Sequence, residues 1–163
     1  MKKLLVLWMI ILLLSGCTAQ PTFETIGNVF ESQQLAEAKK ISVLLPADAA
    51  ATVISGDSGR VYFCDGYEVM AETLPAGDVG KTWKSITGYD SGVLTIVQTA
   101  VSDIKRYECA WTASSEAGDQ VGRAVLLDDG SYHYVLSVMA PAQEAGSLQS
   151  TWEELFASFA LQS

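Results

Sequence analysis

The sequence has few of the residues that catalytic and metal sites most often use. Its 163 residues include three cysteines and one histidine. These numbers exclude the common zinc sites and most catalysis that pairs cysteine with histidine. Lysine and arginine number 10 against 19 acidic residues, which gives a net charge of -9. This charge argues against nucleic acid as a partner, because phosphate binding requires a basic surface.

The sequence also lacks a complete phosphate-binding loop. It has no Gly-x-Gly-x-x-Gly motif, and the Walker-like stretch Gly77–Thr82 lacks the first glycine of the Walker motif. No cofactor is therefore expected. Asp128 and Asp129 precede Gly130 in a sequence typical of a turn. The turn accounts for these two carboxylates, so we do not predict a metal site there.

The first residues have the pattern of a secretion signal. Lys2 and Lys3 precede an apolar run, Leu4–Leu14. At about 1.5 Å per residue this run is too short for about 30 Å of hydrocarbon, so it predicts a signal peptide over residues 1–16. The run ends in Leu14-Ser15-Gly16-Cys17, which resembles the lipobox of bacterial lipoproteins. That resemblance implies cleavage before Cys17, a diacylglyceryl group on its sulfur and attached fatty acids such as palmitate.

Residues 17–25 are expected to be a lipidated tether. They are polar, contain Pro21 and show no periodicity. Two acyl chains suffice for stable anchoring to a membrane, whereas one gives only marginal binding. We therefore expect an extracytoplasmic protein attached by lipid to the cell membrane, or to an outer membrane where the organism has one.

Cys64 and Cys109 are the two cysteines that remain if Cys17 carries the lipid. Secreted proteins reside in an oxidising environment, so we expect a structural disulfide between these two cysteines. Two buried free thiols are the alternative. A redox-active pair is not expected, because the closely spaced Cys-x-x-Cys pattern is missing.

Residues 26–163 are predicted to form a single α+β domain. Alternating β-branched and aromatic residues indicate about six to seven strands in a mostly antiparallel sheet. The Asp65-Gly66 pair predicts a tight hairpin. In the last long strand Tyr132, Tyr134, Leu136 and Val138 share one face, and the opposite face is also partly apolar, as in a central strand covered on both sides.

Two helices are expected beside the sheet. Asp78 is a candidate N-cap for a short helix that ends near Gly88. Toward the C-terminus, apolar residues recur at helical spacing from Leu148 to Phe159 and predict an amphipathic helix. Ser150 and Glu153 match a capping box, although a start nearer Ser147 or Ala142 fits equally well.

The aromatic hairpin Val125–Val135, followed by the helix Trp152–Phe159, resembles the PsbP-like superfamily. The resemblance covers about residues 40 to 161. It implies an antiparallel sheet closed by a final helix, and a role as an extrinsic or secreted accessory protein. It transfers no catalytic residue.

The segment from Trp83 to Tyr89 is the best candidate for partner binding. It is the most aromatic stretch outside the clear strands, and aromatic residues anchor many protein interfaces. Alternatively, Trp83 packs a short helix onto the sheet. His133, between two tyrosines, is interpreted as a strand residue on the less buried face rather than as a catalytic base.

These observations predict a noncatalytic accessory or protein-binding lipoprotein whose partner is another envelope protein. One alternative is a carrier that holds a small ligand between sheet and helix. The other is an envelope hydrolase that uses carboxylates. The sequence does not select a catalytic pair, and an enzyme is not expected.

Overall fold

A computed structural model describes residues 36–53, 58–116 and 118–162. The predicted signal peptide 1–16, Cys17 and the tether 17–25 lie outside these ranges. The strands are β1 (Lys40–Ser42), β2 (Ala50–Val53), β3 (Gly59–Cys64), β4 (Tyr67–Pro75), β5 (Ile96–Val101), β6 (Ile104–Ser115), β7 (Gly118–Asp128), β8 (Tyr132–Pro141) and β9 (Ala160–Gln162). The helices are α1 (Val79–Thr87) and α2 (Gln149–Ser158), with a 3₁₀ turn at Ser91–Val93.

Seven strands form one antiparallel sheet in the order β2-β3-β4-β8-β7-β6-β5. Strands β1 and β9 form a second, two-stranded sheet. The α+β class is confirmed, and the seven strands of the large sheet agree with the six to seven that were predicted. The predicted hairpin joins β3 to β4, where Gly66 has a φ of 82°, a left-handed conformation that glycine adopts without steric cost.

Strand β8 is the fourth of the seven strands, and its side chains are buried on both faces of the sheet. Tyr134, Leu136 and Val138 point to the face covered by α2 and pack in a cluster with Trp152 and Phe156. On the opposite face Val135 packs in a second, smaller cluster with Trp83 of α1 and Trp111 of β6. The predicted alternation of β8 is confirmed.

Helix α1 has the predicted bounds and caps. The Asp78 carboxylate accepts a hydrogen bond of 2.8 Å from the backbone N–H of Lys81 and so satisfies a free donor at the first turn. Gly88 ends the helix with a φ of 80°.

Helix α2 begins at Gln149, between the alternative starts predicted near Ser147 and at Ser150. Leu148 is its N-cap residue, and no side chain caps the helix, so the capping box of Ser150 and Glu153 is not formed. After α2 the chain forms β9, which pairs Leu161 with Ile41 of β1. The C-terminal end of the described chain is thereby joined to its N-terminal end.

The predicted disulfide between Cys64 and Cys109 is wrong, because both cysteines are free. Cys64 packs against the cluster on the α2 face, whereas Cys109 is buried in the cluster on the α1 face. Strands β4, β8 and β7 also separate their strands in the sheet. At about 4.8 Å per strand the two cysteines are far beyond the ~7 Å that a disulfide tolerates between Cα atoms.

Candidate interaction surface

The predicted role of Trp83 in partner contact is wrong, because its side chain is 0% exposed. The indole packs in the cluster between α1 and the sheet together with Leu126 and Val135. A residue buried in this way contributes to folding and is not available to a second protein. The alternative interpretation of Trp83, packing of a short helix on the sheet, is confirmed.

Tyr89 lies at the surface. Its side chain is 39% exposed, and its hydroxyl donates a hydrogen bond of 2.9 Å to the carbonyl oxygen of Thr112 in β6. Its backbone N–H donates to the Thr87 hydroxyl at the end of α1. The ring is therefore held in place and exposed, which makes Tyr89 a fixed point on the surface beside the sheet.

His133 is buried, contrary to the prediction of a less buried face. It is 1% exposed, its Nδ1 lies 2.8 Å from the Thr82 hydroxyl of α1, and its Nε2 lies 4.0 Å from an Asp128 oxygen. Burial lowers the pKa of His133, and the opposing attraction of Asp128 and Asp129 does not overcome that effect. The neutral imidazole therefore ties α1 to the sheet.

A hydroxyl, an imidazole and a carboxylate in line also occur in hydrolases. Here Thr82 is 9% exposed and Asp128 is 8% exposed, so both are buried, as His133 is. A substrate has no access to the hydroxyl. This arrangement supports the structure rather than catalysis.

Asp129 organises the turn between β7 and β8. One of its carboxylate oxygens accepts hydrogen bonds from the backbone N–H groups of Ser131 and Tyr132, and the other accepts from the Tyr134 hydroxyl and lies 3.3 Å from the Lys39 ammonium. Burial opposes ionisation, but these donors outweigh it and lower the pKa of Asp129. In the described ranges no three His, Cys, Asp or Glu side chains are grouped closely enough for a metal ion.

The sheet has a stepped edge at β5 and β6. Strand β5 pairs with the first half of β6, from Val101 opposite Ile104 to Ile96 opposite Cys109. Strand β6 continues to Ser115 without β5 beside it. The Tyr89 hydroxyl binds Thr112 on this overhang, so a side chain takes one of the positions that a neighbouring strand would occupy.

Exposed apolar side chains flank this step. Val93 is 74% exposed and Val97 is 57% exposed, and with Tyr89 they are three of the five large apolar side chains exposed in the described ranges. We call Tyr89, Val93, Val97 and the outer edge of β5 the edge surface. Clustering of exposed apolar side chains is typical of interaction sites.

Two cavities lie beside the edge surface. One, of about 270 Å³, lies on the α2 face between Val97, Glu108, Arg123 and Phe156. The other, of about 390 Å³, is the notch just before the first residue of β5, and Tyr89, Val93 and Trp111 line it. Both can accept side chains from a partner that approaches the edge.

A separate groove lies on the α1 face. Cavities of about 570 Å³ and 200 Å³ share Glu68 and Met139. Phe63 borders the larger cavity, and Met70 and Trp111 border the smaller one. The groove is largely apolar and lies where the sheet extends beyond α1.

The sequence points to Tyr89 but to neither of the two valines. The twelve residues Ser91–Ser102 contain no charge and no proline. That pattern predicts a strand but does not say whether the strand is central or at an edge. The exposure of Val93 and Val97 follows from the order of the strands, which the local sequence does not encode.

No protein-family model and no curated protein matches this chain. Among solved structures it is similar to cyanobacterial PsbP (CyanoP) from Synechocystis sp. PCC 6803, with a TM-score of 0.59 and 11% identity over 75% of this chain and 86% of that one. It is also similar to LpqN, which is involved in cell envelope biogenesis of Mycobacterium tuberculosis, with a TM-score of 0.50 and 11% identity over 77% and 85% of the two chains.

A third similar structure comes from Bacteroides thetaiotaomicron, with a TM-score of 0.51 and 12% identity over 76% of this chain. This chain spans 45% of the length of that protein. At these identities the similarity establishes the fold alone, and the predicted PsbP-like fold is confirmed. In the described ranges no helix is both long and apolar enough to cross a membrane.

Proposed function

We propose that this protein is a lipid-anchored, noncatalytic module that binds another protein on the outer side of a membrane. The observation that carries the proposal is the edge surface, where Val93 and Val97 are exposed beside an uncharged edge strand and two cavities. Strongly exposed apolar side chains cost solubility, and they are typical of surfaces that a partner covers. The burial of Thr82 and His133 supports a noncatalytic role.

The sequence supports the anchoring part of the proposal. Lys2, Lys3, Leu4–Leu14 and the lipobox ending at Cys17 occur in the order of a lipoprotein signal. The similar fold of LpqN, a protein of cell envelope biogenesis, is compatible with a location in the envelope. Whether the membrane is the cell membrane or an outer membrane depends on the organism.

Mass spectrometry of the protein purified from membranes tests the anchor. We expect a mature chain that begins at Cys17 and carries a diacylglyceryl group. The Cys17→Ser variant removes the sulfur that accepts the lipid, so it should lose the lipid mass and the membrane association. A wild-type protein without lipid would overturn this part of the proposal.

Photo-crosslinking in the producing cells tests the binding part. A photo-reactive amino acid replaces Val93, and a matched control replaces Leu44, which is 73% exposed beside the two-stranded sheet. We expect a defined product with one protein from position 93 and none from position 44. Equal products from both positions, or none from either, would contradict binding at the edge surface.

A ligand carrier is a second candidate function, because the groove on the α1 face has the size of a small-molecule site. Native mass spectrometry of the purified full-length chain would show a retained molecule. Met139, which borders both cavities, offers a control, since Met139→Gln should reduce the amount retained. A partner captured through Val93 with an empty groove would favour the protein-binding function.

A further inference from the structure

We infer that the partner binds as an extended segment that adds a strand to the outer edge of β5. The inference rests on the proposed protein-binding function and specifies how the edge surface performs it. The segment belongs to another protein, is neutral or basic, and lacks proline where it pairs. Its backbone hydrogen bonds to β5, and its alternate side chains contact the two faces of the sheet.

The backbone of β5 supplies the hydrogen-bonding groups. All six residues pair one to one with β6, without a bulge, from Ile96 opposite Cys109 to Val101 opposite Ile104. In such a ladder, alternate residues direct their N–H and C=O groups away from the neighbouring strand. Within the described part of the chain, no strand pairs with this outer side of β5.

Strand β5 also lacks the usual protection of a sheet edge. Edge strands are commonly protected by charged side chains, proline, bulges or short length. The stretch Ser91–Ser102 has neither charge nor proline, and its register with β6 has no bulge. The opposite edge strand, β2, has only four residues. The available edge is therefore β5.

Two cavities beside β5 can receive side chains of an added strand. Successive side chains of a strand point to opposite faces of its sheet. The cavity beside Val97 opens on the α2 face, and the notch beside Tyr89 and Val93 lies where β5 begins. When a peptide extends a sheet, such cavities provide specificity while the backbone provides affinity.

Charge favours a different protein over a second copy of this chain. The sequence carries a net charge of -9, so two copies repel each other, whereas a neutral or basic segment is not repelled. The pairing strand itself is uncharged, so β-branched and aromatic side chains on the partner can pack beside Val97 and Thr99.

Crosslinks along β5 test the mode of binding. In the full-length protein, a photo-reactive amino acid replaces Val97, Gln98, Thr99 or Ala100 in turn, all of which are exposed. The crosslinked peptides are then identified by mass spectrometry. Strand addition predicts that all four positions reach one partner segment, and that a step of two residues along β5 moves the crosslink by two residues along that segment.

The other outcomes separate the inference from the proposed function. Crosslinks to scattered segments of one partner, or crosslinks from Val93 alone, would overturn strand addition and leave protein binding intact. Crosslinks to β5 of a second copy would overturn the stated partner. The absence of crosslinks from Val93 and from all β5 positions would overturn both proposals.

Two adjacent proline variants provide a matched control. Because N–H groups alternate in direction along a strand, one of Gln98→Pro and Thr99→Pro removes an outward N–H and the other removes a hydrogen bond to β6. The variant whose melting temperature is closer to that of the wild type identifies the residue whose N–H points outward. That stable variant should lose the crosslink from Val93, and its retention would overturn strand addition.

Discussion

Strands β8 and β5 belong to the same sheet but differ in almost every physical respect. Seven of the ten residues of β8 are buried, and both of its faces are covered by helices. In β5 the side chains from Val97 to Ala100 are all exposed, and its outer backbone edge faces no described strand. Stability is therefore concentrated around β8, and β5 is available for binding.

The largest effects on stability should come from the two tryptophans packed on either side of the sheet. Trp83 is 0% exposed in the α1 cluster, and Trp152 is 2% exposed in the α2 cluster. We expect Trp83→Ala and Trp152→Ala each to lower the free energy of unfolding by about 3–5 kcal/mol, because each leaves a large cavity. Urea denaturation provides the measurement.

An effect of less than about 1 kcal/mol for Trp83→Ala would be far below the range for a buried tryptophan. It would show that α1 is not firmly packed on the sheet. The surface role predicted from the sequence for Trp83 would then have to be considered again.

A smaller effect is expected one strand away from β8, at Gly122 of β7. A Cβ atom at this position would clash with the indole of Trp111 unless the ring moves. We expect Gly122→Ala to destabilise the protein by about 1–3 kcal/mol, as overpacking commonly does. Gly146→Ala is the control, since no heavy atom lies within 4 Å there. Equal melting temperatures for the two variants would contradict the packing of Trp111 on β7.

The polar link between β8 and α1 predicts a dependence on pH. The pKa of His133 is lowered by burial, so as the pH falls below about 6.5 the unfolded state binds the proton first. The stability that this histidine contributes is complete above that pH, and it is lost as the pH falls through the folded-state pKa. His133→Gln should flatten this part of the stability curve, and an unchanged curve would contradict the assignment.

The effect of Asp129 appears in a separate and lower range of pH. Its pKa is lowered below the ordinary 3.8, so its contribution is present above that pH and is lost as the pH falls through the folded-state value. The two residues can therefore be distinguished in one titration of unfolding free energy.

The smallest effect on stability is expected in β5 itself. Val97 is 57% exposed, so Val97→Ser should change the free energy of unfolding by no more than about 0.5 kcal/mol. The same substitution should reduce crosslinking from Val93, because it removes an apolar contact for the partner. A strongly destabilised variant would mean that Val97 supports the fold rather than binding.

The sequence predicts the elements with local signals well. Asp78 and Gly88 mark the ends of α1, Asp65-Gly66 marks the first hairpin, and the alternation from Tyr132 to Val138 shows that β8 is central. In each case the residues that specify the structure are close together in the sequence.

Features set by long-range pairing escape this kind of prediction. Strand β9 exists because Leu161 pairs with Ile41, far away in the chain. The disulfide was predicted from the number of cysteines alone. The number of strands that lie between Cys64 and Cys109 in the sheet depends on the strand order, which the local sequence does not show. Likewise, the edge position of β5 depends on the order of the strands. For Trp83, an apolar side chain suits a core and an interface equally well, so the sequence does not distinguish the two locations.

Hydrogen–deuterium exchange is the decisive test of a partner strand on β5, because it compares β5 with β8 within the full-length protein. The exchange is measured once in membranes from the producing cells and once after purification away from all other proteins. We expect β8 to exchange slowly in both samples, and β5 to exchange slowly in membranes but rapidly in the purified protein. Rapid exchange of β5 in both samples would contradict the claim that a partner strand pairs with this edge.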